Sequence, residues 1–93
     1  MDAPKILEVV ARYRRHFEEK GISPVRIPDN CSPEVTSEEQ LAHAYWMLDE
    51  IEKFAREREP RLGKAFRWLG FVQGVLFVTG EFTIIDLRSH NRS

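Results

Sequence analysis

The sequence predicts an all-α fold: a small bundle of three main helices with a short C-terminal helix closing one end. Three observations predict it. Apolar residues recur at three- and four-residue steps over three long stretches. Capping and stop residues bracket each stretch. A candidate β-hairpin at 75–86 has no third strand to build on, and two strands alone are marginal. At 93 residues the chain suits one domain, read here as spanning 1–93.

The first helix is expected at about 3–20. Asp2 can cap it, Pro4 suits its first turn, and Ile6, Val9, Val10, Tyr13 and Phe17 share a face. Gly21 supplies a left-handed stop, with Ile22 folding back. A proline-rich connector at 23–35 follows, extended and pinned by Val25, Ile27 and Val35. The second helix is expected at 37–58, opened by a capping box that could be Thr36 with Glu39 or Ser37 with Gln40. Leu41, Ala44, Tyr45, Leu48, Ile51 and Ala55 form its core stripe. The third helix is expected at 60–79, with Pro60 at its first position and Leu62, Ala65, Phe66, Leu69, Val72 and Leu76 inward. Phe71, Val75 and Val78 fall on the far side, so this helix should be central or covered by something else. Gly80 can end it. Thr83 with Asp86 makes a last capping box, with Phe82 and Leu87 as a hydrophobic staple, for a helix at 84–90.

Hydrophobic residues at 42% and charged residues at 31% exclude a disordered chain. A net charge of −1 argues against generic binding to nucleic acid or membranes. One cysteine, Cys31, excludes an internal disulfide framework. Met1-Asp2-Ala3-Pro4-Lys5 does not open a signal peptide, and the charge-free run Trp68 to Gly80 falls short of the roughly 20 residues a membrane helix needs. The expected location is the cytoplasm.

No catalytic constellation is visible, so no enzyme, cofactor or metal site is expected. Glu39 and His43 are four apart on a helix, but two ligands are too few for a metal, and with Glu50 they read as a solvated face. Cys31 has no neighbouring base and reads as inert. Glu52 falls near the apolar stripe, where a base from another helix could pair with it. Gln73 projects into the third helix's stripe, where it should be hydrogen-bonded.

Two features stand out. Charge is segregated: six acidic and no basic side chains lie between Glu34 and Glu52, then Lys53, Arg56, Arg58, Arg61, Lys64 and Arg67 crowd the next corner. Arg61, Lys64 and Arg67 at a helix start could bind an anion, or form ordinary surface ion pairs. In addition, Gly63, Gly70 and Gly74 share one side of the third helix. Such a stripe suits a close backbone approach, by another helix of the chain or by a second copy.

The stretch Lys64-Ala-Phe-Arg-Trp-Leu-Gly-Phe-Val-Gln-Gly-Val-Leu-Phe-Val-Thr-Gly, followed by Thr83-Ile-Ile-Asp-Leu-Arg-Ser-His-Asn-Arg, resembles the C-terminal half of a family of small phage and prophage proteins. Its most specific part is Arg67-Trp68-Leu69-Gly70-Phe71 with Gln73-Gly74, and His43 to Glu50 is similar to the family's upstream helix. The likeness covers about half the chain. It implies a viral or prophage setting and carries no chemistry.

The expected function is therefore a non-enzymatic protein–protein interaction module acting on a host or phage protein. Trp46, Phe71 and Val78 are the expected apolar contacts, with cover by the proline-rich connector the alternative for Trp46, and Glu38, Glu39, Asp49 and Glu50 steering a basic partner. Surplus apolar surface on the third helix predicts a homodimer. The alternative is a nucleic-acid binder using Arg61, Lys64 and Arg67, or Arg88, His90 and Arg92 on the last helix.

Overall fold

The computed structural model describes residues 1–31 and 34–92, so the connector at positions 32 and 33 lies outside the described residues. The chain folds as four helices, α1 (Ala3–Glu19), α2 (Ser37–Arg56), α3 (Leu62–Val78) and α4 (Ile84–Asn91). No strand occurs among the described residues, so 75–86 is helix, turn and helix rather than a hairpin.

Each boundary has a local cause. Asp2 Oδ1 accepts from the Lys5 amide at 3.0 Å and opens α1. Gly21, at φ +71°, closes it, with the Ile22 amide donating to the Phe17 carbonyl at 3.0 Å. Of the two candidate boxes for α2, Thr36 with Glu39 forms: each side chain accepts from the other's amide at 3.1 Å. Thr83 and Asp86 repeat the device at α4, at 2.9 and 3.1 Å. Gly80, at φ +79°, ends α3 as Gly21 ends α1, with the Glu81 amide reaching the Leu76 carbonyl at 2.8 Å.

The α2–α3 corner differs from expectation. Helix α2 stops at Arg56, not at 58, because Glu57 is already extended. Helix α3 starts at Leu62, and Pro60 lies before it rather than in its first turn. The corner is tied by the Arg61 amide donating to the Phe54 carbonyl at 3.0 Å and by the Glu57 carboxylate gripping the Arg61 guanidinium. That ion pair holds the Glu57 carboxyl below its usual range.

The core joins the expected stripe of α1 to Leu41, Ala44, Leu48, Ile51 and Ala55 of α2 and to Ala65, Leu69, Val72 and Leu76 of α3. Helix α2, not α3, is the central one: it packs along both α1 and α3. The small Ala65 lies fully buried at the α2 contact, and this rotation of α3 turns Phe66 outward to 50% exposure. Phe66 was expected in the core. Val75 moves the opposite way, from the expected far side to partial cover against the core.

The α4 cap gives the first test. Thr83→Ala should destabilise the protein by about 0.5–2 kcal/mol in urea unfolding. An unchanged midpoint would show that α4 does not need its cap.

Candidate interaction surface

Much of the outer side of α3 is apolar and exposed. Phe66, Phe71 and Phe77 are each about half exposed, at 50%, 57% and 46%, and Val78 is 72% exposed. Gly63, Gly70 and Gly74 lie on the same side. A methyl group added at Gly70 or Gly74 would meet nothing within 4 Å, and at Gly63 only the end of the Arg67 side chain at 3.7 Å. Close packing within the chain is therefore not what these glycines serve. Each forfeits roughly 1 kcal/mol of helix stability relative to alanine. By helical periodicity they form a strip, with Arg67 beside it, between Phe66 and Phe77 on one side and Phe71 and Val78 on the other. At its C-terminal end it runs into a hollow that Phe77 shares with Ile84 and Ile85, both exposed. Sequence periodicity found Phe71 and Val78; it missed Phe66, Phe77, Ile84 and Ile85.

Beside this face lies a cleft of about 500 Å³ between the connector, α2 and α3. Trp46, Trp68, Phe71 and Met47 form its apolar walls, and Arg26, Asp29, His43 and Arg67 its polar ones. Of the two readings of Trp46, exposed contact or cover by the connector, the structure shows partial cover. His43 stacks on it at 5.4 Å, the Arg26 guanidinium sits 5.0 Å over its ring, and Trp68 lies 6.4 Å away. The connector is thus a strap over α2. Its hydrogen bonds run from the Val25 amide to the Ala42 carbonyl at 3.1 Å and from the Ile27 amide to His43 Nδ1 at 3.0 Å. His43, expected on a solvated face, instead holds the strap as a neutral acceptor. Burial and then the nearby Arg26 charge lower its pKa.

The predicted charged sites are largely neutralised within the chain. Asp49 pairs with Arg14 at 2.7 Å, Glu50 with Lys53 at 3.1 Å, and Glu39 belongs to the α2 cap. Of the predicted acidic face, Glu38 alone among the described residues has no assigned ion pair or cap. Glu52 does what its place on the stripe predicts: Arg14 of α1 grips it, and Arg56 adds a bond at 2.9 Å. The bond from Arg14 is the main cause of its lowered pKa. The basic corner does not converge. Arg61 is held by Glu57, Lys64 lies 4.7 Å over the Phe54 ring, and Arg67 turns to the Trp46 cleft. Arg88 on α4 and Arg92 just past its end are exposed, but His90 is buried and so cannot reach a nucleic acid from the folded chain.

His90 instead belongs to a polar cluster that holds α4. Tyr13 Oη donates to His90 Nδ1 at 2.8 Å and accepts from Gln73 Nε2 at 3.1 Å. Gln73 and Asn91 exchange two bonds at 2.6 and 3.1 Å, which satisfies the glutamine inside the stripe as expected. Phe82 packs edge-on against His90 at 4.8 Å. Burial first, and then Arg12, lowers the His90 pKa, with Lys5 and His16 acting in the same sense and Asp86 against it.

Among the described residues no group of three or more His, Cys, Asp or Glu could hold a metal ion, and no helix is long and apolar enough to cross a membrane. Fold and surface together define a small all-α bundle with an uncovered apolar helix face. No family model, curated protein or solved structure matches the chain.

Two imidazoles, the buried His90 and the partly buried His43, set a pH dependence. Their folded pKa values lie below the unfolded value of about 6.5, so the unfolded chain binds more protons just below that pH. Their stabilisation is complete above about pH 6.5 and falls as the pH drops toward the folded values. Melting temperature should therefore decline between pH 7 and 5, before the carboxylates titrate. His90→Gln, which keeps an acceptor for Tyr13, should shrink that decline, and adding His43→Gln should nearly remove it. An identical decline in the double variant would assign it to other groups.

Proposed function

We propose that the chain is a small non-enzymatic protein-interaction module, encoded by a phage or prophage and working in the bacterial cytoplasm on a host or phage protein. The observation that supports this reading is the continuous apolar surface of α3 and the α3–α4 corner. Phe66, Phe71, Phe77, Val78, Ile84 and Ile85 all face solvent there. Isolated exposed apolar residues are normal on a protein surface, but a patch of several hundred Å² on so small a domain marks a contact site. The aromatic cleft around Trp46 and Trp68 extends it with the residue types that anchor protein interfaces. The phage setting rests on the Arg67-Trp68-Leu69-Gly70-Phe71 likeness.

Affinity capture from a bacterial extract tests the reading. Wild type should retain at least one protein that a Phe71→Glu/Val78→Glu variant of equal helix content loses. An identical set of bound proteins for both would contradict it.

A second reading, nucleic-acid binding, is favoured by one observation. Arg26 and Arg67 flank the Trp46–Trp68 cleft, and among the described residues Arg67 has no carboxylate within ion-pair distance. Aromatic rings beside arginines suit stacked bases of a single strand. Retardation of single-stranded DNA or RNA that weakens steeply with salt and is lost in Arg26→Gln/Arg67→Gln would support it. No retardation at low salt would remove it.

A further inference from the structure

We propose that the outer face of α3 closes against the same face of a second copy, antiparallel, about a two-fold axis beside Gly70. This rests on reading that face as an interaction surface, and it names the occupant.

The residue order carries the register. In an antiparallel pair centred on Gly70, each Phe66 comes level with Gly74 of the second copy and each Phe77 with Gly63 of the second copy. Gly70 meets its own counterpart. Two of the three exposed phenylalanines of α3, Phe66 and Phe77, thus lie opposite a glycine, while Phe71 comes level with Leu69; large on small is the alternation that lets two helices approach closely and interdigitate. No shift of one residue keeps both matches. An isologous contact requires this self-complementarity, and the intramolecular structure does not use it: nothing lies within 4 Å of the position a side chain would take at Gly70 or Gly74.

Charge selects the direction. Arg67 lies toward the N-terminal end of the face, Arg61 and Lys64 being turned to Glu57 and to the Phe54 ring, and α3 carries no carboxylate. A parallel pair would set both basic ends and both positive helix termini side by side. An antiparallel pair sets each basic end beside the negative C-terminal end of its neighbour.

Three half-exposed phenylalanines leave roughly 300 Å² of ring surface open. Val78, Ile84, Ile85 and the polar rim bring the face toward the roughly 800 Å² per partner of a stable interface. The Trp46–Trp68 cleft, which Phe71 also lines, borders the pair.

Cysteine cross-linking with mass measurement tests both the occupant and the register. In a Cys31→Ser background, wild-type α3 should give about twice the 10.9 kDa chain mass by light scattering. Gly74→Phe should weaken association roughly tenfold or more by overfilling the site of Phe66, with helix content unchanged. Gly70→Cys should oxidise to a covalent dimer. Gly63→Cys and Gly74→Cys alone should not, because their counterparts lie more than roughly 10 Å apart along the axis, beyond disulfide reach. Mixed Gly63→Cys and Phe77→Cys chains should cross-link. Self-linking at Gly63 and Gly74 would overturn the register by indicating a parallel pair. A concentration-independent monomer mass would overturn self-pairing. In that case, binding of the apolar dye ANS that is lost in Phe66→Gln/Phe77→Gln would leave the interaction-surface reading standing, and no such binding would end it as well.

Discussion

The seating of α3 on α2 is the constraint on which the rest depends. A buried alanine, Ala65, lies in the contact, and Leu69, Val72 and Leu76 complete the inward stripe. That rotation fixes everything else about the helix. It turns Phe66 and Phe77 outward, draws Val75 to the core edge, and leaves the glycine side open. A helix apolar on two sides would be buried within a larger protein. Here only one side is buried, so the other is available to a neighbour outside the chain.

The C-terminal helix is held differently. Helix α4 offers the core little apolar surface, and His90 is its one buried residue. Tyr13, Gln73, His90 and Asn91 tie it to α1 and α3 by hydrogen bonds, with Phe82 closing the cluster. His43 plays the matching part at the strap. Two neutral imidazoles thus secure the two segments that least resemble a packed helix bundle. The attachment depends on acceptor nitrogens, which protonation removes, whereas the α1–α2–α3 core depends on burial.

Much of this was legible in the residues. Helix starts and stops follow local chemistry, so Asp2, Thr83, Gly21 and Gly80 mark their boundaries within a residue or two. Glu52 and Gln73, polar residues on apolar stripes, correctly signal partners on other helices. The misses are tertiary. The wheel places Phe66 near the inward stripe, but only the α2 contact decides how far α3 is rotated. The same holds for His43, whose cover is a strap without periodicity, and for the acidic face, whose partners Arg14 and Lys53 are unreadable as such from charge order alone. The glycine stripe was legible as a pattern, and its openness was not.

The central claim is that α3 presents its outer face to another molecule, first to its own copy. Amide chemical shifts measured over a dilution series test this most directly. The account predicts concentration-dependent shifts at Gly63, Gly70 and Gly74 and at Phe66, Phe77 and Val78, extending to Ile84 and Ile85, with α1 and the outer side of α2 unchanged. Shifts independent of concentration, or centred on Glu38, Asp49 and Glu50, would contradict it.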